Sequence, residues 1–170
     1  MDIKRLSLPD AAAFQDLRVY ALRESPAAFG SSLEEEQERP QASTEAFLSA
    51  AAIFGAFADG ALLGTAALLR EPRQKESHRA ALIGVYVRPE QRGRGLARRL
   101  AQTVVDHARS LPDLRLLTLD VTETNTQAIA LYESLGFQRY GVLPEATCVD
   151  GVFYGQVEMV CRLSDLPPGR

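Results

Sequence analysis

The sequence predicts an α/β (α+β) fold in which a mixed, mostly antiparallel central sheet of about seven strands is flanked by about four helices. Three observations lead there. Apolar runs of strand length follow one another around turn residues such as Asp59-Gly60, which is how hairpins read. Other segments repeat their apolar residues every three to four positions, the period of a half-buried helix. One strand, helix, strand succession over residues 80–121 calls for a right-handed crossover and hence a parallel pair. The 170 residues, 46% hydrophobic and 24% charged, suit a single compact domain, placed at 1–165 and followed by a tail at 166–170. The Pro-Pro-Gly-Arg end of that tail reads as frayed.

Element by element, a short apolar stretch at Ile3 to Leu6 leads into Ser7-Leu8-Pro9-Asp10. There Ser can cap a helix, Pro suits its first turn and Asp sits near its positive end. Phe14, Leu17, Ala21 and Leu22 continue at helical spacing until Ser25-Pro26 breaks the helix. Phe29 and Leu33 precede Glu34-Glu35-Glu36, and a further helical piece covers 44–51. Strands over 53–58 and 61–69 flank Asp59-Gly60, a polar stretch 71–79 links to a third apolar run at 80–87, and together they form a meander. The next helix puts Ala97, Leu100, Ala101, Val104, Val105 and Ala108 on one side and Arg98, Arg99, Gln102, Asp106 and Arg109 on the other. A strand follows at 114–121. Asn125 can cap a helix running through Leu135, with Gly136 in its left-handed C-terminal position. Strands near 138–143 and 153–163, joined by a loop containing Asp150-Gly151, complete the count.

Composition excludes several functions. Lys and Arg number 19 against 22 Asp and Glu, a net charge of −3, which argues against a general affinity for nucleic acid or anionic membrane. The longest uncharged apolar run, Ala46 to Ala58, is short of the roughly 20 residues that span a bilayer, and the start of the chain has no basic segment leading into an apolar one. The chain therefore reads as cytoplasmic. Cys148 and Cys161 are not paired at metal-ligand spacing and lie far from His78 and His107, so no metal site is expected and both cysteines read as small buried hydrophobes.

Charge is segregated along the chain. From Glu24 to Glu45 there are six Glu and one Arg, and from Arg88 to Arg99 five Arg and one Glu. The basic stretch lies in Val85-Tyr86-Val87-Arg88-Pro89-Glu90-Gln91-Arg92-Gly93-Arg94-Gly95-Leu96-Ala97, between a strand and a helix start. Glycines there let the backbone approach a ligand, and successive amides with the helix dipole favour negative charge. Neither the P-loop nor the dinucleotide pattern is present, which leaves a pyrophosphate as the natural guest. A solvated Gly-Arg-Gly turn and a short RNA-binding arginine run are the alternative readings.

Arg92-x-x-Gly95-x-Ala97 resembles the Arg/Gln-x-x-Gly-x-Gly/Ala signature of the GNAT superfamily of N-acyltransferases. Leu119-x-Val121-x-x-x-Asn125-x-x-Ala128-x-x-Leu131-Tyr132-Glu133-x-Leu135-Gly136-Phe137 is similar to that family's later motif. The resemblance implies a sheet whose central parallel pair splays apart, with acetyl-CoA as co-substrate in the gap and an amine as acceptor. It implies that the backbone of Val85, Tyr86 and Val87 meets the pantetheine arm. Arg92, Gly93, Arg94, Gly95, Leu96 and Ala97 would hold the pyrophosphate, and Asn125 would contact the cofactor arm or cap its helix. Tyr132 matches the family's general acid; the alternative is a half-buried tyrosine on an apolar helix face. The strand 82–87 lacks the Glu that many relatives use as base, leaving Glu24, Glu34, Glu35, Glu36 or a water chain. Collectively the acidic run could attract a cationic amine. Homodimerisation is common in the family. A non-catalytic acyl-CoA sensor and a nucleic-acid-binding domain are the rival functions, and a protein N-terminus or lysine is the variant acceptor to a small-molecule or peptide amine.

Overall fold

The computed structural model describes residues 2–167; of the expected tail, 168–170 lie outside that range, as does Met1. The elements are β1 (Asp2–Arg5), α1 (Ala11–Glu24), α2 (Leu33–Gln37), α3 (Gln41–Ala50), β2 (Ala52–Ala58), β3 (Ala61–Arg70), β4 (Arg79–Val87), α4 (Leu96–Arg109), β5 (Leu116–Thr122), α5 (Thr126–Glu133), β6 (Gln138–Val149) and β7 (Val152–Arg162). They form one seven-stranded sheet in the order β1-β2-β3-β4-β5-β7-β6. All neighbours are antiparallel except β4 and β5. The mixed sheet with its single parallel pair is the predicted one. The fifth helix is the short α2, started by a capping box in which Ser32 Oγ accepts from the Glu35 amide and the Glu35 carboxylate accepts from the Ser32 amide.

Each face of the sheet carries its own core. The apolar stripe of α4, with α5 and the inward residues Leu117, Leu119 and Val121 of β5, covers one face. On the other, α1 and α3 bring Phe14, Leu17 and Leu48 against Ile53, Leu62 and Ala67. The chain crosses between β4 and β5 through α4, as the crossover rule requires.

A bulge in β4 sets the site. Register runs from Ala67 opposite Ile83 to Thr65 opposite Tyr86, so β4 holds one residue more than β3. Gly84 absorbs the extra residue at φ +60°, and its carbonyl accepts from Thr65 Oγ1. The alternation of sides therefore reverses past Gly84. Ala80 and Leu82 face α4, and so do Val85 and Val87, while Ile83 and Tyr86 face α1.

Three local expectations are corrected. Asp59-Gly60 forms the predicted tight turn with both φ positive, but Asp150-Gly151 does the same. The presumed loop before the last strand is thus a two-residue turn inside a long β6/β7 hairpin, whose outer surface exposes Tyr140, Val142, Leu143, Val152 and Phe153. Cys161 is buried, but Cys148 is exposed on β6 because it points away from the cores. Leu166, assigned to the tail, packs against the core beside Gly136. Among the described residues no helix is long and apolar enough to cross a membrane.

Candidate active site

The parallel pairing of β4 with β5 is confined to residues 79–81 against 116–118. Beyond that the strands diverge, and from Leu82 onward β4 has no partner on its β5 side. Backbone groups that a continuous sheet would satisfy are left facing a gap. The gap opens into a cavity of about 610 Å³ lined by Leu82 to Val87, by Asp120 to Thr122, by the loop before α4 and by α5. Thr122 Oγ1 closes one end by donating to the Ala27 carbonyl at 2.6 Å.

At the mouth stands the loop before α4. Gly93 and Gly95 have φ of +73° and +75°, and a Cβ on either would meet nothing within 4 Å. The backbone conformation, not crowding, demands glycine there. The helix has no side-chain N-cap and no acid in its first turn. Amides from Gly93 to Ala97 find no backbone acceptor among the described residues, so several donors and the positive helix end converge on one spot. That is a site for an anion.

The arginines around the loop have different partners. The Arg92 guanidinium donates to Glu24 at 2.6 and 3.1 Å, to the Val87 carbonyl at 3.0 Å, and lies over the Tyr86 ring. Its hydrogen bond to Glu24 raises its own pKa and holds the Glu24 carboxyl down at about 2. Tyr86 donates to the same carboxylate, and burial, followed by that negative charge, pushes its phenol up. Arg94 reaches only toward Gln91 and does not line the cavity. Arg98, expected on the solvent side of α4, does line it and donates to Ser134 Oγ.

From α5 come Asn125 and Tyr132. Asn125 Oδ1 accepts from the Ala128 amide at 3.2 Å, making it the helix cap, and the residue also borders the cavity. Tyr132 is 8% exposed, stacks edge-on against Phe137 and lines the cavity. Burial pushes its phenol up to about 12.

The expected base candidates are largely committed elsewhere. Glu24 is bound to Arg92, Glu35 caps its own helix, and Glu34 is exposed. Glu36 is 1% exposed and lies between Arg18 at 3.0 Å and Arg39 at 3.2 Å. The carboxylate that lines the cleft is one the sequence reading passed over, Asp120. It has no hydrogen bond or ion pair among the described residues. The signal was present: in Leu117-Thr118-Leu119-Asp120-Val121 the strand period sends Asp120 to the side opposite its apolar neighbours.

A second cavity, of about 310 Å³, lies on the α1 side and shares Phe29, Gly30, Ile83 and Gly84 with the first. The bulge at Gly84 is thus where the two meet. Among the described residues no cluster of His, Cys, Asp and Glu could hold a metal.

Residues 15–137 match the family model of the Acetyltransferase (GNAT) family. A spermidine N(1)-acetyltransferase of Vibrio cholerae is 34% identical over 74 residues, 44% of this chain and 43% of that protein. The N-alpha-acetyltransferase RimI of Mycobacterium tuberculosis is 39% identical over 92 residues, 52% of each chain. The chain therefore spans about half the length of these curated relatives. Among solved structures, yncA from Salmonella typhimurium, with its cofactor acetyl-CoA, superposes with a TM-score of 0.85 at 20% identity, covering 100% of this chain and 98% of that one.

Proposed function

The chain belongs to the GNAT acetyltransferase family, and from that premise we propose that it transfers an acetyl group from acetyl-CoA to a primary amine by direct attack. The carrying observation is the cavity between the splayed strands, which has an anion-binding helix start at one end and the buried Tyr132 phenol along its wall. The CoA pyrophosphate occupies the amides of Gly93 to Ala97, with Arg98 nearby. Arg92 organises the loop through Glu24 and the Val87 carbonyl instead of meeting the phosphate directly. The pantetheine arm runs along the unpaired edge of Val85, Tyr86 and Val87, completing the strand. Asn125 combines its cap with contact to the arm.

The amine enters from the second cavity, so nitrogen and thioester meet beside Gly84. Asp120 takes the ammonium proton, since it is the one carboxylate of the cleft lining without a partner among the described residues. Nitrogen then attacks the carbonyl carbon, and the oxyanion that forms is stabilised by a β4 amide at the bulge. As the carbon–sulfur bond breaks, Tyr132 donates a hydrogen bond to the leaving thiolate, and the second proton of the attacking nitrogen passes to that sulfur, so that a neutral amide and a free thiol leave. Full proton transfer from a phenol near 12 to a thiolate whose acid titrates near 8.5 is uphill by about 5 kcal/mol, so Tyr132 serves as a hydrogen-bond donor through that step.

The test is the appearance of free thiol from acetyl-CoA across a panel of primary amines, with acetyl-CoA binding measured by calorimetry alongside. Amine-dependent thiol release supports the reading; binding without release to any amine would favour an acyl-CoA sensor.

A further inference from the structure

We propose that the acceptor is a free amino acid with an apolar side chain, a small amine carrying its own carboxylate, and that Arg39 and Arg18 bind that carboxylate. The inference rests on the acetyltransferase reading and specifies its substrate class. The 310 Å³ cavity next to Gly84 has three charged residues in its lining, Arg18, Arg39 and Glu36, an excess of one positive charge. A polyamine placed there would bring further cations to a site that already has a surplus. An acid would complete it.

Two arginines converge on one carboxylate, which a structural ion pair does not require, because one guanidinium can already satisfy a carboxylate with two parallel bonds. Arg18 donates to Glu36 Oε2 through a single Nη2 contact. Arg39 Nε sits 3.2 Å from Glu36 Oε1 but is buried without a hydrogen bond. A buried donor left unmade is unfavourable, and each guanidinium has five N–H groups in a planar fork suited to a carboxylate. Both side chains line the cavity, 20% and 35% exposed, so guanidinium N–H groups other than the buried Arg39 Nε are open to a ligand.

The pair is held in place in advance. Gln15 of α1 donates to the Glu36 carbonyl at 2.8 Å and accepts from Thr44 Oγ1 of α3 at 2.6 Å, tying α2 and α3 to α1. The rest of the wall is apolar, with Phe14, Phe29 and Phe47 among its rings. A volume of about 310 Å³ lies at the small end of the range for small-molecule sites, which suits a small acceptor. With its carboxylate on the arginines, the acceptor has to turn the amino group of the adjacent carbon toward Gly84, one of the four residues that the two cavities share.

The experiment compares kcat/KM for L-phenylalanine with phenethylamine and for L-leucine with isoamylamine, pairs that differ only by the carboxylate, with spermidine and an Ala-initiated peptide as further arms. The same ratios are measured in Arg39→Gln, and acetyl-CoA binding is followed calorimetrically in both proteins. The expected result is a preference of at least about tenfold for the amino acid of each pair, falling by about tenfold in the variant, as for loss of a buried charge contact. The ratio is taken within one protein preparation, so partial misfolding of the variant does not alter it. Equal or better transfer to the amines without carboxylate, to spermidine or to the peptide overturns the inference and leaves the acetyltransferase reading standing, as does a ratio unmoved by Arg39→Gln. Absence of transfer to any carboxylate-bearing amine also overturns it. Failure of acetyl-CoA to bind removes the reading itself, and the inference with it.

Discussion

Replacing Tyr132 with Phe removes one oxygen from the cavity wall, and the structure sets the size of the effect. Tyr132 OH has no hydrogen bond among the described residues, and the edge-on contact of its ring with Phe137, centroids 6.0 Å apart, survives the change. Stability at pH 7 should therefore move by no more than about 0.5 kcal/mol. Catalysis should respond more strongly. With the phenol at about 12, the group supplies a hydrogen bond to a developing anion, worth about 1.5–3 kcal/mol, so kcat falls about 10- to 150-fold while acetyl-CoA affinity stays within about twofold. Thiol release under saturating acetyl-CoA reads the first, and calorimetry the second. There is also a signature in stability. A phenol whose folded value lies above its ordinary 10 contributes fully below pH 10, and the contribution is lost as pH rises toward 12. At pH 11 the wild type should have lost about 1.4 kcal/mol from this source that Tyr132→Phe never had, visible in parallel urea titrations at pH 8 and 11. Equal kcat in the two proteins would remove Tyr132 from the mechanism, and a fall beyond about a thousandfold would contradict the donor-only role.

Other substitutions separate the parts of the site. Gly95→Ala places a Cβ at φ +75° in open space, so it should reduce stability by only about 1–2 kcal/mol yet weaken acetyl-CoA binding at least tenfold by intruding on the amide cradle, as measured by thermal shift with and without the ligand. Asp120→Asn should lower kcat/KM by about 10²-fold at neutral pH, and the deficit should shrink as pH approaches the amine's own pKa, where free amine needs no base; a pH-independent deficit counts against Asp120 as the base. Glu24→Gln breaks the contact with Arg92. A carboxyl held at about 2 gives stability that is present above pH 4.5 and lost as pH falls toward 2. With side chains 29% and 45% exposed, solvent screening reduces it to about 1 kcal/mol, seen as a smaller acid-side loss in the variant's unfolding curves.

Much of the sheet was legible because its signals are local. Asp59-Gly60 supplies both positive φ values for its turn, the α4 stripe shows a clean helical period, and a strand, helix, strand unit admits one handedness. The left-handed backbone of the loop before α4 was legible too, since glycine is the residue that takes positive φ at no steric cost, as Gly93 and Gly95 do. What was not legible depended on partners far away in the chain. The hold of Arg92 on Glu24, 68 positions earlier, has no local sign in the sequence. Glu36 reads as part of a solvated acidic face until Arg18 and Arg39 close over it. Two of the six Glu of the acidic run, Glu24 and Glu36, are taken up in this way, and of the six only Glu36 lines the second cavity. No charge count along the chain could reveal this, because the pairing is set by how α1, α2 and α3 pack.

The β4 bulge links the fold to the chemistry most directly. Strict alternation would put Val85 and Val87 on the α1 side with Ile83; the extra residue at Gly84 sends them to the α4 side and turns Tyr86 toward Glu24. It also leaves Gly84 and Val85 without register partners on β3, at the point where β4 has already parted from β5. Apart from the Gly84 carbonyl, which accepts from Thr65 Oγ1, this short segment thus lacks ladder partners on both edges, an unfavourable arrangement in a sheet unless something else satisfies its backbone groups. A co-substrate lying along β4 does so on one side, and the acceptor cavity opens on the other. The fold meets the expense of an incomplete strand at the place where two substrates must touch, and a substitution that straightened β4, such as Gly84→Val at φ +60°, would act on both binding sites at once.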